Sequence, residues 1–316
     1  MSLDPTAPPP AERVAAARLS RSRRRWRLFA FLALAIAVLA VAGRFALDRD
    51  PFATGADEIA RVDISGTIAT DRDRVAMLKT LADDDHVKAV LLTINSPGGT
   101  TAGGEELYES LAALRAKKPV VAVVAEMAAS AAYMTAIASD RIFARRLSIV
   151  GSIGVLFQTY NAGKLMDTIG ISTDKIASGP LKAEPSLDKP MSPEVRASLT
   201  GLVTDSFNWF VDIVAERRHL ARPDALALAD GRILTGRQAL DAKLIDAIGG
   251  EAEALAWLQS DRKLAAGLPV RTRWPLPDRG FGGIGKWLGA EARAALGLPG
   301  QGPVALDGLV SLWQVD

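Results

Sequence analysis

The chain has 316 residues, 49% of them hydrophobic, and a formal net charge of +2, so it is long enough to bury a large core. It contains no cysteine and only two histidines, which excludes disulfides, thiolate nucleophiles and thiolate metal sites. Seven arginines fall in the first 27 residues, which leaves the remainder mildly acidic and argues against nucleic acid as a partner of the folded part.

The N-terminal region predicts a membrane anchor. Residues 1–25 are rich in proline, alanine and arginine, and predict a disordered basic tail. Residues 28–43 form a run of 16 uncharged residues, and with its flanks, as residues 26–47, it approaches the ~20 residues of a bilayer span. Arginines before the run and acidic residues after it place the tail in the cytoplasm and the rest outside. A signal peptide cleaved near residues 40–42 is the alternative.

Residues 48–57 predict a linker, and residues 58–265 predict one α/β domain. Apolar patterns predict strands at 58–66, 87–94, 120–124, 141–144 and 149–157, and helical periodicity predicts helices at 72–83, 103–116, 194–218 and 251–264. This alternation predicts a mainly parallel sheet with crossover helices. Residues 178–193 predict an exposed loop. The glycine- and proline-rich residues 266–316 predict a tail of unknown role, with one helix near 287–296.

Ser130 is the candidate nucleophile. It lies where a strand feeds a helix, among Ala128, Ala129, Ala131 and Ala132, and we expect these small residues to leave room for an apolar peptide. Backbone N–H groups at the start of a helix also favour developing negative charge. A packing corner of small residues is the alternative interpretation.

The turn after the second predicted strand, Asn95-Ser96-Pro97-Gly98-Gly99, is a candidate oxyanion hole. Tandem glycines leave backbone N–H groups unshielded, so that they can converge on an anion. A plain tight turn is the alternative. Ser96 precedes proline, and we expect it to fix the turn geometry rather than to act as a nucleophile.

Neither histidine suits a Ser-His-Asp triad. His86 follows three aspartates in a polar turn before a strand, and His219 follows two arginines at a helix end, where a cation is favoured. We expect the acidic run at residues 83–85 to be a solvated turn, and we expect no metal and no cofactor.

Lysine remains as the base for Ser130, because desolvation can keep a lysine neutral near pH 7. Lys182 lies in a loop that could fold over a cleft. On chemistry alone, Lys164, Lys175 and Lys189 are equally plausible.

Six segments occur in one order along the chain: VDISGTI (62–68), VKAVLLTINSPGGT (87–100), the alanine-flanked Ser130, GSIGV (151–155), SGPLK (178–182) and LTGRQALDAKLID (234–246). Together they resemble the signal peptide peptidase A family of membrane-anchored serine proteases, over about residues 58–260. The resemblance implies a crotonase-like fold shared with the proteolytic subunit of Clp protease, with a ββα superhelix and a mainly parallel sheet, preceded by one transmembrane helix.

The resemblance also implies residue roles. Ser130 matches the nucleophile of a Ser–Lys dyad, and Lys182 matches its general base. The backbone of Gly98, with Gly99, matches the oxyanion hole, and Ser152 matches a hydroxyl that orients the lysine.

The chain departs from the family pattern in two places. Ala131 and Ala132 stand where many members have glycines, and Leu181 and Ala183 flank the lysine where members often have an aromatic residue and an aspartate. These departures bear on substrate preference and loop geometry. The chain holds one copy of the domain, and in single-copy relatives a neighbouring subunit of a ring-like homo-oligomer supplies the lysine.

The sequence thus predicts a serine endopeptidase that hydrolyses apolar peptides at the membrane, such as released signal peptides. The catalytic domain is expected on the periplasmic or extracytoplasmic side, with peptides and the lipid bilayer as partners. One alternative is an acyl-thioester enzyme of the same fold, although coenzyme A thioesters are cytoplasmic. Another is an inactive or regulatory membrane scaffold.

Overall fold

The computed structural model describes Trp26, residues 29–35, Val38, residues 55–275 and the backbone of residues 309–312. The elements below all lie in the unit formed by residues 56–316. Its strands are β1 (Glu58–Ile68), β2 (Val87–Thr100), β3 (Val120–Ala129), β4 (Arg141–Ala144), β5 (Ile149–Gly151), β6 (Leu156–Phe157), β7 (Ile233–Thr235), β8 (Ala247–Ile248), β9 (Val270–Trp274) and β10 (Leu309–Leu312). Its helices are α1 (Arg72–Asp83), α2 (Thr101–Arg115), α3 (Ala131–Ile137), α4 (Gly163–Thr168), α5 (Pro193–Arg218), α6 (Arg222–Ala227), α7 (Gly236–Asp241) and α8 (Glu251–Ser260).

The sheet is mainly parallel, as the sequence predicts. β2 lies between β1 and β3, and β3 pairs with β4 and, nearer its carboxyl end, with β5. β1 also pairs with β9, and β4 with β8, again in parallel. The antiparallel pairs are β5 with β7, and β10 with both β2 and β6. The α/β architecture is therefore confirmed, with helices as the crossovers between parallel strands.

Helices cover both faces of the sheet, so its central strands are buried on both sides. Residues 120–122 and 124 of β3 and residues 89–92 of β2 have no exposed surface, which explains why these strands are uninterrupted apolar runs. One cluster of the core joins the sheet to α1, α2, α3 and α5, and the other packs Ala254 and Leu258 of α8 on the opposite face.

Side-chain caps begin the two helices that the sequence predicts best. Asp71 accepts hydrogen bonds from the N–H groups of Asp73 and Arg74, at 3.0 and 3.1 Å, and starts α1. Ser192 accepts the N–H of Val195 at 3.3 Å and starts α5, whose first residue is a proline. Both caps satisfy N–H groups that have no partner within the helix.

β2 continues beyond its predicted end, through the tandem glycines. A register shift between the pairs Ser65–Asn95 and Thr67–Gly98 allows the strand to keep pairing with β1, so that Gly99 lies opposite Ile68. Gly98 has a φ of +109°, which favours glycine. A Cβ on Gly99 would lie 1.7 Å from the carbonyl oxygen of Ile68. Both glycines are therefore required by the backbone path itself.

The folded unit also extends past the predicted boundary at residue 265. β9 adds a strand beside β1, in a segment that the sequence assigned to a tail. Arg273 of β9 forms a buried ion pair with Glu58 of β1, and Arg271 lies 3.5 Å from the second oxygen of that carboxylate. The arginines of β9 do not indicate a partly buried strand in the sequence, because Glu58, the partner of Arg273, lies 215 residues earlier in the chain.

The predicted anchor lies largely outside the described residues, as do the basic tail and the helix predicted near 287–296. Within the described part of the chain, no helix combines the length and the apolar character that a membrane crossing needs.

Gly99→Ala is expected to lower the free energy of unfolding by about 3 kcal/mol, the upper end of the cost of overpacking, because the new methyl group meets backbone that cannot rotate away. The matched control is Gly201→Ala in α5, where a Cβ meets nothing within 4 Å; it should be neutral or stabilise by up to about 1 kcal/mol. Urea denaturation of the full chain measures both. Equal midpoints for the two variants would contradict the close approach of β1 and β2.

Candidate active site

Ser130 and Gly98 lie together at the carboxyl edge of the sheet. Ser96 of β2 pairs with Ala128 of β3, so Gly98 and Ser130 each follow that pair by two residues. In sheets of parallel strands, ligands bind at the carboxyl ends of the strands. The register therefore brings the predicted nucleophile beside the predicted oxyanion turn.

Ser130 has a strained backbone. Its φ is 59° and its ψ is −122°, a combination that residues with a Cβ rarely adopt. Its N–H donates to the carbonyl of Gly151 at 2.8 Å, and its own carbonyl accepts the N–H of Tyr133 at 2.8 Å as α3 begins. Such strain persists only where the surroundings impose it, and it is characteristic of serine nucleophiles at sharp strand-to-helix turns.

The alanines around Ser130 are core residues and do not line an open groove, contrary to the expectation from sequence. Ala131 and Ala132 have no exposed surface. α2 packs closely against them, because a Cβ on Gly104 would lie 3.0 Å from the Cβ of Ala131 and 2.8 Å from the sulfur of Met134. These small residues let two helices approach, and this close packing fixes the turn that carries Ser130.

Ser96 holds the glycine turn, as predicted. Its hydroxyl donates to the carbonyl oxygen of Gly66 at 2.6 Å and accepts the N–H of Gly98 at 3.1 Å. The Gly98 N–H, the predicted oxyanion donor, thus has an internal partner in this conformation. It can stabilise an oxyanion only by sharing or leaving its bond to Ser96.

Ser152 lies next to Ser130 across the β3–β5 pair. Gly151 pairs with Ala129, and Ser152 and Ser130 directly follow this pair on the two neighbouring strands. Ser152 is buried, has a φ of 50°, and donates its N–H to the carbonyl of Arg232 at 2.8 Å. The orienting role expected for its hydroxyl stays a prediction.

Lys182 is exposed, whereas Ser130 retains only 1% of its surface. The lysine lies in a turn in which its N–H donates to the carbonyl of Gly179 at 3.2 Å, and its carbonyl accepts from Nζ of Lys175 at 3.3 Å. A lysine that acts as a base must lose its contact with water. The described residues of its own chain leave Lys182 exposed and do not provide that burial.

Two of the alternative lysines form ion pairs with the same acidic side chain. Lys175 and Lys189 contact one carboxylate, that of Glu184, at 2.5 and 2.9 Å, and only 5% of the Glu184 side chain is exposed. The hydrogen bond and charge of Glu184 raise the pKa of Lys189, which makes that amine less available as a base at neutral pH. Sequence reasoning missed Glu184, because nothing in the spacing of the loop indicates that both lysines converge on it.

Both histidines lie at the opposite edge of the sheet. His86 precedes β2, with its Nδ1 3.5 Å from Asp57. His219 ends α5, where the neighbouring Arg218 binds Asp246, which accepts the N–H of the second residue of β4. The amino ends of β2 and β4 are remote from Ser130 because these strands run parallel to β3. Within the described residues, no cluster of three or more acidic or histidine side chains could hold a metal ion.

A cavity of about 300 Å³ lies near the carboxyl edge of the sheet, between α2, α3 and α5. Met134, one turn beyond Ser130, lines it together with Trp209. Glu105 and Asp205 contribute carboxylates to the same wall. The cavity is therefore of mixed character, with an apolar floor and acidic groups.

Known proteins are similar in sequence to this chain over 66–75% of its length. Residues 112–265 match the model of peptidase family S49. The chain is 39% identical to slr0021, a candidate protease of Synechocystis sp., over 66% of this chain and 76% of that protein. It is 35% identical to MJ0651, a candidate protease of Methanocaldococcus jannaschii, over 75% of this chain and 76% of that protein. It is 32% identical to the candidate signal peptide peptidase SppA of Enterococcus faecium, over 71% of this chain and 64% of that protein. The chain therefore belongs to peptidase family S49, the signal peptide peptidase A family, and is a serine peptidase.

Proposed function

We propose that this peptidase is an endopeptidase that cleaves apolar peptides at a membrane, such as released signal peptides, with Ser130 as nucleophile and Lys182 as general base. The observation that carries the proposal is the strained turn at Ser130, which the β2–β3 register sets beside the glycine turn. A residue with a Cβ adopts this backbone conformation only where its surroundings impose it, and such strained residues are concentrated at functional sites.

The reaction proceeds through an acyl-enzyme. Neutral Lys182 accepts the proton of Ser130 as its oxygen attacks the peptide carbonyl carbon. Backbone N–H groups of Gly98 and of the residue after Ser130 stabilise the resulting oxyanion. Lys182 then protonates the leaving amine, and afterwards takes a proton from the water that hydrolyses the ester. Gly98 reaches the oxyanion by relaxing its bond to Ser96, so substrate binding completes the hole.

The base comes from a neighbouring copy of the chain. Residues 158–192, which we call the arm, carry Lys182 together with several exposed apolar side chains. Ile176 is fully exposed, and Ile169, Ile171 and Leu187 are at least half exposed. An apolar surface of this kind is typical of an interface. Packing the arm against the next subunit of a homo-oligomeric ring would bury these side chains and exclude water from Lys182.

The domain acts from a membrane anchor at residues 26–47, with its catalytic part outside the cytoplasm. The uncharged run at residues 28–43 and the arginines before it support this topology. The family resemblance and the mainly parallel sheet support assignment of the described fold to the crotonase and Clp group.

Ser130→Ala and Lys182→Met should each lower kcat/KM for a fluorogenic apolar peptide by about 10³-fold or more, because a nucleophile and its base act as a unit. Lys164→Met, a lysine of the same region with an exposed side chain, is the control and should keep parental activity. A fluorophosphonate probe should label the parent and not Ser130→Ala. Loss of activity in Lys164→Met but not in Lys182→Met would reassign the base, and a parent that neither cleaves nor takes up the probe would indicate a scaffold.

Mixing the two inactive variants tests whether the site is shared. When Ser130→Ala and Lys182→Met chains are dissociated and reassembled together, the lysine of one copy can serve the serine of the other. We expect the mixed oligomers to regain activity that neither variant has alone. A mixture that stays as inactive as its parts would show that both residues act within one chain.

The topology predicts a measurable difference in protease access. In spheroplasts of cells that express the full chain, external protease should degrade the domain at residues 58–274 without lysis. Degradation only after the membrane is permeabilised would place the domain on the cytoplasmic side.

A further inference from the structure

The last described strand, β10, lies in the gap between β2 and β6, which we call the cleft. Leu312, Ser311 and Val310 pair antiparallel with Gly98, Gly99 and Thr100 of β2. The other side of β10 pairs with β6, with Leu309 opposite Phe157 and Val310 opposite Leu156. A segment from the far end of the chain thus occupies the strand edge that contains the glycine turn.

β10 ends where β3 turns into Ser130. A strand has two edges, and β1 pairs along one edge of β2 as far as Gly99. On the other edge, β3 pairs with β2 up to Ser96, and β10 takes over at Gly98. The Leu312 end of β10 therefore faces the turn that carries Ser130.

This pairing is the one that an extended peptide would make in the cleft. Peptide binding by strand addition supplies affinity through main-chain hydrogen bonds to an open edge. The edge at Gly98–Thr100 would otherwise be an unpaired template for another chain. β10 satisfies it together with the edge of β6, so no other peptide can pair there while β10 is in place.

We propose that residues 309–312 are a tethered occupant of the peptide-binding cleft, which must leave before any other extended peptide can bind. The identity of the cleft as the substrate site rests on the proposed function, but its occupancy by this segment does not. Residues 276–308 tether the segment to β9, and tethering of this kind gives a weak ligand an effective concentration on the order of millimolar. The paired segment is only four residues long, so a free peptide of higher affinity can displace it.

The test measures binding in a chain that cannot cleave. The probe is a fluorescein-labelled peptide with the sequence of residues 305–314, and its affinity is measured by fluorescence anisotropy. The protein is the full chain with Ser130→Ala, with and without Val310→Pro. Proline lacks the N–H that a strand paired on both sides requires, so Val310→Pro should release the segment and increase probe affinity at least about tenfold.

Two controls make the result specific. Val304→Pro adds a proline outside the paired residues and should leave the affinity at the parental value. A probe with proline in place of Val310 should bind neither protein. Equal affinity of the normal probe for Ser130→Ala and for the variant with Val310→Pro, or no binding to either, would overturn the proposal. Failure of the proposed function is a separate result, in which the chain with Ser130 intact hydrolyses no peptide although the binding pattern holds.

Discussion

The parallel pairing of β2 with β3 is the constraint on which the site depends. Because Ser96 lies opposite Ala128, the glycine turn and the turn that carries Ser130 leave the sheet at the same level. The remaining contacts hold this arrangement in place: β5 accepts the N–H of Ser130, and the close packing of α2 on α3 at Gly104 prevents the strained turn from relaxing. The strain is thus stabilised by a rigid sheet and core, and not by the turn itself.

The two halves of the proposed dyad are built on different kinds of structure. Ser130 is part of the core, whereas Lys182 belongs to an exposed loop whose shape depends on Glu184 and its two lysine partners. In the proposed mechanism such a chain is incomplete by itself, because burial of Lys182 requires a second surface. Activity would then depend on assembly, and a newly made monomer would be inactive.

Much of the fold could be predicted from local pattern. The helical periodicity at residues 72–83 and 194–218 and the apolar run at residues 120–124 mark their elements directly. Ser130 became recognisable through the order of six segments, because the residue types around it are equally typical of a packing corner. β9 could not be predicted, since Arg271 and Arg273 make a strand only once Glu58 is beside them. The position of β10 depends on contacts between distant parts of the chain, and the shared role of Glu184 depends on the folded shape of its loop. Periodicity indicates neither.

The buried pair of Glu58 and Arg273 has a practical consequence for where this protein can be cut. A fragment that stops at residue 265, where the match to family S49 ends, would retain the carboxylate and lose both arginines that face it. Leaving one member of a buried ion pair alone costs about 3–5 kcal/mol, a large part of the ~5–15 kcal/mol that holds a typical domain folded. The smallest fragment that can be expected to fold therefore reaches at least Trp274, beyond the last residue of the family match.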